Sequence, residues 1–362
     1  MKIMKKFISI LIATVMLLLS VGIVSAAETG EEINLTRLNG NYFTAGSADP
    51  AYDASKAFDG VSSLDSRWAT PANTDDEWLQ VTFIDKVTVT AFQIDECKDW
   101  GSALDFEIQA LIDGAWATVY EGTEIINEKI TLSEPVDTTD IRLFVNAHSN
   151  GVFGTTIYEM VVFGYAEERT LLTKEHNFTA TASTFEGEPY AASAAFDGVV
   201  GSLPNCESRW AAVANDVNSW VEVTFDQEVS LSSFNIIECT VWANVESYNI
   251  QVFQNGEYVT VHTGEKINGA VKLDQVYTTT KIKFNCLSIA EGRYPAITLY
   301  EIQYFGPTQS EITPPAGGDQ PGENENPIPN PPTGDMNYVI LVLVAVAVVT
   351  AYGVSKKRMT NI

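Results

Sequence analysis

The sequence predicts an all-β fold in which two similar antiparallel β-sandwiches or barrels follow one another. Three observations support this prediction: a long stretch of the chain occurs twice, apolar and polar residues alternate over short segments, and neither copy contains a long helical period. Alternation places every second side chain on the same face of a strand, as in a half-buried sheet. Short alternating segments separated by turn residues, with no helices between them, indicate antiparallel sheets.

The repeat is marked by one short phrase. Ala54–Gly60, which leads to Ser66–Trp68, returns as Ala192–Gly198, which leads to Ser208–Trp210. The offset between the copies is 142 for most of their length but 138 before the Ser-Arg-Trp phrase, so the second copy carries four additional residues there. An insertion between matched positions indicates a surface loop.

Each predicted strand presents one apolar face, and the same positions are apolar in both copies. The first copy has Leu79, Val81, Phe83, Phe106, Ile108, Ala110, Ile141, Leu143 and Val145, and the second has Val221, Val223, Phe225, Tyr248, Ile250, Val252, Ile282, Phe284 and Cys286. Asp113-Gly114 and Asn255-Gly256 stand between such segments and predict tight β-hairpins. Four tryptophans at matching positions are expected in the core: Trp68, Trp78, Trp210 and Trp220.

The charge of the chain limits the classes of partner. Its 362 residues include 47 acidic and 21 basic side chains, a net charge of −26. This balance argues against nucleic acid, whose phosphates require a basic surface. It suits an exported soluble protein and leaves many carboxylates for Ca²⁺, although solubility alone explains most of the acidity.

Four cysteines in a chain of this length do not form a disulfide framework. They are Cys97, Cys206, Cys239 and Cys286. Cys97 and Cys239 occupy equivalent positions in the two copies. Cys286 follows Ile282 and Phe284 at every second position, so it is expected on the same core-facing side of the strand. We therefore expect buried thiols. The absence of a CxxC motif or a Cys/His cluster from the sequence gives no indication of zinc.

The N-terminal segment is interpreted as an export signal. Three lysines precede an apolar run from Phe7 to Val24, and Ser25–Ala27 supplies the small residues of a signal-peptidase site. We assign residues 1–27 to this signal. An uncleaved membrane anchor is the alternative, which the acidic residues that follow disfavour.

The repeated motifs resemble those of the discoidin family, also called the factor V/VIII type C domain. They run in order from Ala-Phe-Asp-Gly through Ser-Arg-Trp and Trp-(Leu/Val)-x-Val-Thr-Phe to Tyr-Glu-x-x-x-Phe-Gly, and they cover residues 34–164 and 177–306, below called the first and second repeat. The resemblance implies an eight-stranded, jelly-roll-like β-sandwich at 28–165 and another at 166–306. Bacterial members of the family include the family 32 carbohydrate-binding modules. Animal members usually close the domain with a disulfide between its ends, and neither repeat has cysteines there.

The resemblance also implies one structural Ca²⁺ in each repeat. The residues carried over by position are Asp59, Ser66 and Glu159 in the first repeat and Asp197, Ser208 and Glu301 in the second. Carboxylates, a hydroxyl and loop carbonyls are the hard oxygen donors that Ca²⁺ prefers. The alternative is that Asp59 caps a turn and that Glu159 pairs with Arg67 or lies in solvent.

The expected ligand site lies on loops at one end of each sandwich. An aromatic ring packs on the apolar face of a sugar while neighbouring polar groups bind its hydroxyls. The candidate ligand-binding residues are Trp100, His148, Asn150 and Phe153 in the first repeat and Trp242, Arg293 and Tyr294 in the second. Because the two sets differ, the repeats are expected to prefer different ligands. A solvated loop histidine is the alternative for His148.

The chain ends in a stalk and a predicted surface anchor. Eight of its 14 prolines fall after Gly306, and residues 307–329 read as an extended linker. Residues 330–362 contain Asn-Pro-Pro-Thr-Gly, an apolar run and a basic tail, an order that resembles the cell-wall sorting signal of Gram-positive bacteria. The resemblance implies sortase cleavage between Thr333 and Gly334 and covalent attachment to peptidoglycan. Asn330 replaces the leucine of the commonest version, and a plain membrane anchor is the alternative.

The sequence therefore predicts a non-catalytic, lectin-like protein that is anchored to the cell wall and binds glycans or glycoconjugates. The alternative is an adhesin that binds a host protein or a lipid surface. Catalysis is disfavoured because both repeats are explained as binding modules, and no GxSxG, HExxH or glycine-rich phosphate motif occurs in the sequence.

Overall fold

The computed structural model describes residues 31–49, 51–71, 76–149, 154–200, 208–216, 218–239, 243–290 and 295–312. The predicted export signal, most of the predicted linker and the predicted sorting signal with Thr333 and Gly334 lie outside these ranges. In the described part of the chain, no helix has the length and apolar character needed to cross a membrane.

The described residues are almost entirely β-structure. The first repeat contains β1 (Ile33–Asn34), β2 (Tyr42–Ala45), β3 (Trp68–Ala69), β4 (Glu77–Glu96), β5 (Ala103–Ile112), β6 (Ala115–Gly122), β7 (Ile130–His148) and β8 (Thr156–Tyr165). The second contains β9 (Phe178–Ala182), β10 (Trp210–Ala211), β11 (Trp220–Glu238), β12 (Val245–Gln254), β13 (Glu257–Gly264), β14 (Val271–Ile289) and β15 (Thr298–Phe305). The α-helices α1 (Leu172–Glu175) and α2 (Gln309–Ile312) have one turn each. The prediction of two tandem antiparallel β-sandwiches is confirmed.

Each sandwich has two layers because its longest strands run through both. In the first repeat, β4 up to Thr82 pairs with β2 and β7, whereas β4 from Val87 onward pairs with β7 and β8. The register shifts between these two parts, and such an irregularity bends a strand. In the second repeat, β11 and β14 shift register between Thr224 and Val229 in the same way.

The core of each sandwich consists of the predicted alternating residues. All eighteen apolar positions named from the sequence are buried. Trp68 and Trp210 are fully buried at equivalent positions, and each indole Nε1 donates a hydrogen bond to a backbone carbonyl, that of Ser47 at 2.9 Å and that of Thr184 at 3.0 Å. The polar atom of each buried ring is therefore satisfied.

Trp78 and Trp220, in contrast, are not core residues, so this expectation was wrong. Both are only partly buried. Each immediately precedes a fully buried residue of the same strand, Leu79 or Val221, so its side chain lies on the opposite face. There the Lys283 ammonium lies 4.7 Å from the centre of the Trp220 ring. At these positions, the alternation of side chains along the strand determines which residue is buried, and the size of the side chain does not.

Both predicted hairpins are present. Ile112 pairs with Ala115 across Asp113-Gly114, and Gln254 pairs with Glu257 across Asn255-Gly256. Asp113 and Asn255 have φ values of 50° and 53°, and their glycines have 81° and 89°. Two successive left-handed residues form the turn that matches the twist of paired strands, and asparagine, aspartate and glycine adopt it at the least cost.

The cysteine expectation is confirmed for three of the four residues. Cys97, Cys239 and Cys286 are buried, whereas Cys206 lies outside the described residues. The Tyr158 hydroxyl donates to the Cys97 Sγ at 2.9 Å, and the equivalent Cys239 Sγ lies 3.2 Å from the Tyr300 hydroxyl. The same thiol–hydroxyl pair therefore recurs in both repeats.

Arg169, in the segment that connects the two repeats, holds them together. Its guanidinium contacts Asp85 of the first repeat at 2.5 and 2.9 Å and Glu311 of α2 at 2.6 and 2.9 Å. It also donates to the Ser232 Oγ at 2.7 Å and to the Gly306 carbonyl at 3.1 Å. The Arg169 side chain is only 3% exposed. Both repeats belong to one compact unit of the chain, and these contacts lie inside it.

The charges at this junction predict a loss of stability in acid. Burial alone would raise the pKa of Glu311, but hydrogen bonds from Arg169 and Lys272 outweigh it and lower the pKa to about 2. The stabilisation is therefore present above about pH 4.5, the ordinary pKa of glutamate, and is lost as the pH falls from there toward 2. We expect Glu311→Gln to lower the free energy of unfolding at pH 7 by about 2 kcal/mol and to flatten its dependence on pH below 4.5.

Urea denaturation at a series of pH values measures this effect. Glu257→Gln is the matched control, because Glu257 is exposed and should leave the profile unchanged. An acid profile of Glu311→Gln identical to that of the unmodified protein would contradict the prediction.

Candidate ligand loops and cation loops

The two candidate ligand loops of the first repeat adjoin one another. One connects β4 to β5 and carries Trp100, and the other follows β7, which ends at His148. The Ser149 N–H donates to the Ser102 carbonyl at 2.7 Å, and the Ser102 N–H donates to the Ser149 Oγ at 2.9 Å. This reciprocal pair fixes the two loops against each other at one end of the sandwich.

Trp100 is positioned by two residues that the sequence analysis did not assign to the site. The Arg67 guanidinium carbon lies 4.4 Å from the centre of the Trp100 ring and 3.5 Å from the centre of the Tyr52 ring. Arg67 is 4% exposed, so this cation–π contact is largely removed from solvent and is stronger for it. The sequence did contain a signal for this pair, because Arg67 and Tyr52 recur in the second repeat as Arg209 and Tyr190. There the Arg209 guanidinium carbon lies 4.0 Å from the centre of the Tyr190 ring.

His148 lies at the rim of the same loops. Its Nδ1 is 2.8 Å from the Ser149 carbonyl oxygen, a distance at which the protonated nitrogen donates a hydrogen bond. The contact holds the imidazole close to the backbone of the second loop. The other ligand-binding candidates, Asn150, Phe153, Trp242, Arg293 and Tyr294, lie outside the described residues.

A buried carboxyl group closes the Trp100 loop, and its role was also missed. The Glu96 Oε1 accepts a hydrogen bond from the Ala103 N–H at 2.6 Å, across the whole loop. Glu238 accepts from the Val245 N–H at 2.5 Å in the equivalent loop of the second repeat. Burial raises the pKa of both groups to about 7. The repeated Glu-Cys dipeptide, which ends β4 and β11, was the available signal.

We call the predicted Ca²⁺ site of each repeat its cation loop: Asp59, Ser66 and Glu159 in the first repeat and Asp197, Ser208 and Glu301 in the second. In the second repeat, the structure brings these three residues together. The Ser208 hydroxyl donates to the Asp197 carboxylate, and the Glu301 Oε2 accepts from the Gly198 N–H at 3.2 Å. Glu301 is 1% exposed, and its burial raises its pKa to about 8. No ion pair formed within the described residues includes Asp197 or Glu301.

The cation loop of the first repeat has the same frame but contains an arginine. The Ser66 hydroxyl donates to Asp59, and the Gly60 N–H donates to the two Glu159 oxygens at 3.2 and 3.0 Å. Arg37 then forms an ion pair with Glu159 at 2.9 Å. Burial raises the pKa of Glu159 to about 7. The alternative roles of Asp59 and Glu159 are thus partly observed. Asp59 caps its turn by accepting a hydrogen bond from the Val61 N–H at 2.8 Å. Glu159 pairs with an arginine, although with Arg37 instead of Arg67.

The donor sets decide how well these loops fit Ca²⁺. Within the described residues, no three His, Cys, Asp or Glu side chains are grouped to hold a metal ion. Ca²⁺ would therefore need hydroxyl and carbonyl oxygens in addition to two carboxylates, which is ordinary for this ion. Asp197, Ser208 and Glu301 fit that requirement. In the first repeat the Arg37 guanidinium already lies against one of the equivalent groups, the Glu159 carboxylate.

The raised pKa of Glu96 gives a testable pH dependence. The unfolded carboxyl titrates near 4.5 and the folded one at about 7, so its favourable contribution is present below pH 4.5 and is lost as the pH rises through 7. Glu96→Gln keeps an oxygen for the Ala103 N–H and cannot ionise. We expect the variant to gain about 1–2 kcal/mol relative to the unmodified protein between pH 5 and pH 8, measured by thermal unfolding.

Glu134→Gln, on an exposed part of β7, is the control and should show no such trend. A stability difference for Glu96→Gln that is the same at pH 5 and pH 8 would refute the assignment.

Solved structures of several carbohydrate-binding proteins are similar to this chain. Chitosan-binding module 1 from a chitosanase/glucanase of Paenibacillus sp. IK-5 is 26% identical, with 37% of this chain and 100% of that one covered and a TM-score of 0.33. The family 32 module of Clostridium perfringens NanJ, solved with galactose, is 24% identical, with 37% and 99% covered and a TM-score of 0.33. The tandem CBM32-1 and CBM32-2 domains of Clostridium perfringens ZmpB, solved with GalNAc, are 15% identical, with 76% and 92% covered and a TM-score of 0.31.

A comparison with curated proteins found no match. The family model of the F5/8 type C domain matches the chain twice, at residues 42–160 and 179–301. These two matches fall within the two repeats and together account for more than half of the chain. The protein therefore belongs to the F5/8 type C, or discoidin, domain family.

Proposed function

We propose that this protein binds glycans through the loops at one end of each β-sandwich and that it is not an enzyme. The observation that carries the proposal is the placement of Trp100. In a domain of this family, an indole ring held by Arg67 stands on loops that also present His148 and backbone polar groups. A half-buried aromatic beside polar groups is the combination that packs on a sugar ring and binds its hydroxyls. Family membership of both repeats supports a binding role for the whole described region.

We also propose that the protein is exported and attached to the cell wall. The proposal rests on the order of the C-terminal sequence, in which Thr333-Gly334 precedes an apolar run and a basic tail. Sortase would act on the chain during anchoring, and peptidoglycan would be the covalent partner. Thr333→Ala should move the protein from the cell-wall fraction to the membrane fraction, whereas an unchanged distribution would favour direct anchoring by the apolar run.

A lipid surface is the second candidate ligand. Apolar side chains that are about half exposed follow each Asp-Gly turn: Val61 and Leu64 in the first repeat and Val199 and Val200 in the second. Exposed apolar residues at a loop tip favour insertion between lipid headgroups. Sedimentation with phosphatidylcholine and phosphatidylserine vesicles separates this candidate from glycan binding.

We further propose that the second repeat holds one structural Ca²⁺, through Asp197, Ser208 and Glu301. Asp197 on the Asp-Gly turn, the Ser208 hydroxyl that donates to it and Glu301 on β15 provide suitable ligands, and the buried Glu301 would gain a compensating positive charge. The calcium titration described in the next subsection tests this assignment together with the state of the first repeat.

The glycan proposal predicts the effect of removing the Trp100 ring. We expect Trp100→Ala to weaken binding to a first-repeat ligand by about tenfold or more, because a central aromatic contact commonly contributes over 1 kcal/mol. The measurement is a glycan array with the purified protein, followed by titration of the best ligand. Trp116→Ala is the matched control, since Trp116 is also partly exposed but lies on β6, under the Arg142 side chain.

Equal binding by Trp100→Ala and the unmodified protein would remove the first repeat's loops as the site. A blank array from folded protein would redirect the search to lipids and proteins.

A further inference from the structure

Arg37 is held firmly at the cation loop of the first repeat. It ends the one-turn 3₁₀ helix Leu35–Arg37, which begins with a cap from the Asn34 side chain. Leu35 is fully buried in the core and fixes this turn against the sandwich. The long side chain of Arg37 therefore starts from a rigid position and reaches residues 58–60 and β8 from there.

The guanidinium contacts one of the three candidate cation ligands, Glu159, and a carbonyl oxygen beside the turn. Its Nη1 donates to the Phe58 carbonyl at 2.6 Å, and its Nη2 donates to the Glu159 Oε1 at 2.9 Å. Phe58 immediately precedes Asp59, so these acceptors are a loop carbonyl and the carboxylate opposite it. A Cβ atom built on Gly60 would lie only 2.3 Å from Nη2, which shows how closely the guanidinium packs against the turn. Charge-assisted hydrogen bonds of this kind are among the strongest in proteins.

A divalent cation and this guanidinium exclude each other. Both would use the Glu159 carboxylate, and two positive charges about 4 Å apart repel each other, the more so where solvent screening is reduced. The Glu159 side chain is only 12% exposed and that of Arg37 is 40% exposed, so screening is reduced on the Glu159 side of the pair. Binding of Ca²⁺ in the first repeat would require Arg37 to give up both acceptors.

In the second repeat, a lysine occupies the position of Arg37. Ala45 pairs with Leu79, and Ala182 pairs with Val221, the counterpart of Leu79, so Ala45 and Ala182 are equivalent. Eight residues before these alanines stand Arg37 in the first repeat and Lys174 in the second. Lys174 is exposed and lies in no ion pair of the described residues. Among the described residues, which omit 201–207 of this loop, a Cβ atom built on Gly198, the counterpart of Gly60, would meet no atom within 4 Å.

We infer that the Arg37 guanidinium takes the place of the divalent cation in the first repeat, so that the chain has one cation site, in the second. The number of cation sites, one per chain, rests on the calcium site proposed above for the second repeat. The inferred role of Arg37 in the first repeat does not rest on it. The first repeat stabilises its Asp-Gly turn with a covalently attached charge, and the second uses an ion from solution.

Calcium titration of the purified full-length protein, stripped of metal with a chelator, tests the inference. Isothermal titration calorimetry with CaCl₂ should give one Ca²⁺ per chain. Asp197→Asn should abolish this site, whereas Asp59→Asn should leave one. Arg37→Met, which keeps much of the stem but removes the charge, should raise the count to two. Lys174→Met is the matched control and should leave it at one.

The outcomes separate the two proposals. Two sites in the unmodified protein, or a site lost in Asp59→Asn, would overturn the role of Arg37, as would a count that Arg37→Met leaves unchanged. No site in the unmodified protein but one in Arg37→Met would support Arg37 and refute the calcium site of the second repeat. Circular dichroism checks that each variant is folded. If Arg37→Met is not, the comparison of Asp59→Asn with Asp197→Asn decides the question.

Discussion

The Ser-Arg-Trp phrase connects the core of each sandwich to both of its loop clusters. In the first repeat, Ser66 bonds to Asp59 of the cation loop, Arg67 packs between Tyr52 and Trp100, and Trp68 is fully buried. Ser66 and Arg67 precede β3, which begins at Trp68, and the three side chains meet three different surroundings: the cation loop, the two aromatic rings and the core. The indole fixes the segment in the core, and the positions of the other two side chains follow from it. In the second repeat, Ser208 likewise bonds to Asp197, Arg209 packs on Tyr190 and Trp210 is fully buried.

Local patterns in the sequence were sufficient for the fold but not for the sites. Alternation identified the buried face of every named strand, and two dipeptides identified the hairpins, because both are properties of neighbouring residues. The burial of Trp78 was misjudged because its size was given more weight than its parity. Arg37 was missed for a different reason: it meets Glu159 across 122 residues of sequence. Such a contact depends on how the sandwich closes, and no local pattern reports it. Trp100 was named as a candidate because loop aromatics recur at matched positions. Arg67 and Tyr52 recur as well, but their recurrence alone did not indicate that Arg67 packs between Tyr52 and Trp100.

The two repeats keep one scaffold and differ at its loops. Their cores, buried tryptophans, thiol–hydroxyl pairs and loop-closing glutamates correspond position by position. At the cation loop, by contrast, one repeat has Arg37 and the other an exposed lysine. A sandwich whose stability comes mainly from buried apolar side chains tolerates such changes at its loops, since few core contacts depend on them. Duplication followed by divergence of this kind yields two domains with different responses to their surroundings.

The junction around Arg169 also determines how the molecule would carry a mechanical load. The second sandwich begins and ends at nearly the same point, because the Gly306 N–H donates to the Thr170 carbonyl at 2.9 Å. A force applied beyond α2 would reach Glu311 first and pass through Arg169 to Asp85 in the first sandwich. The strands of the second sandwich lie beside this path and would bear tension only after the ion pairs had separated. A chain pulled from its C-terminal end would therefore yield at the junction first, while the second sandwich remained folded.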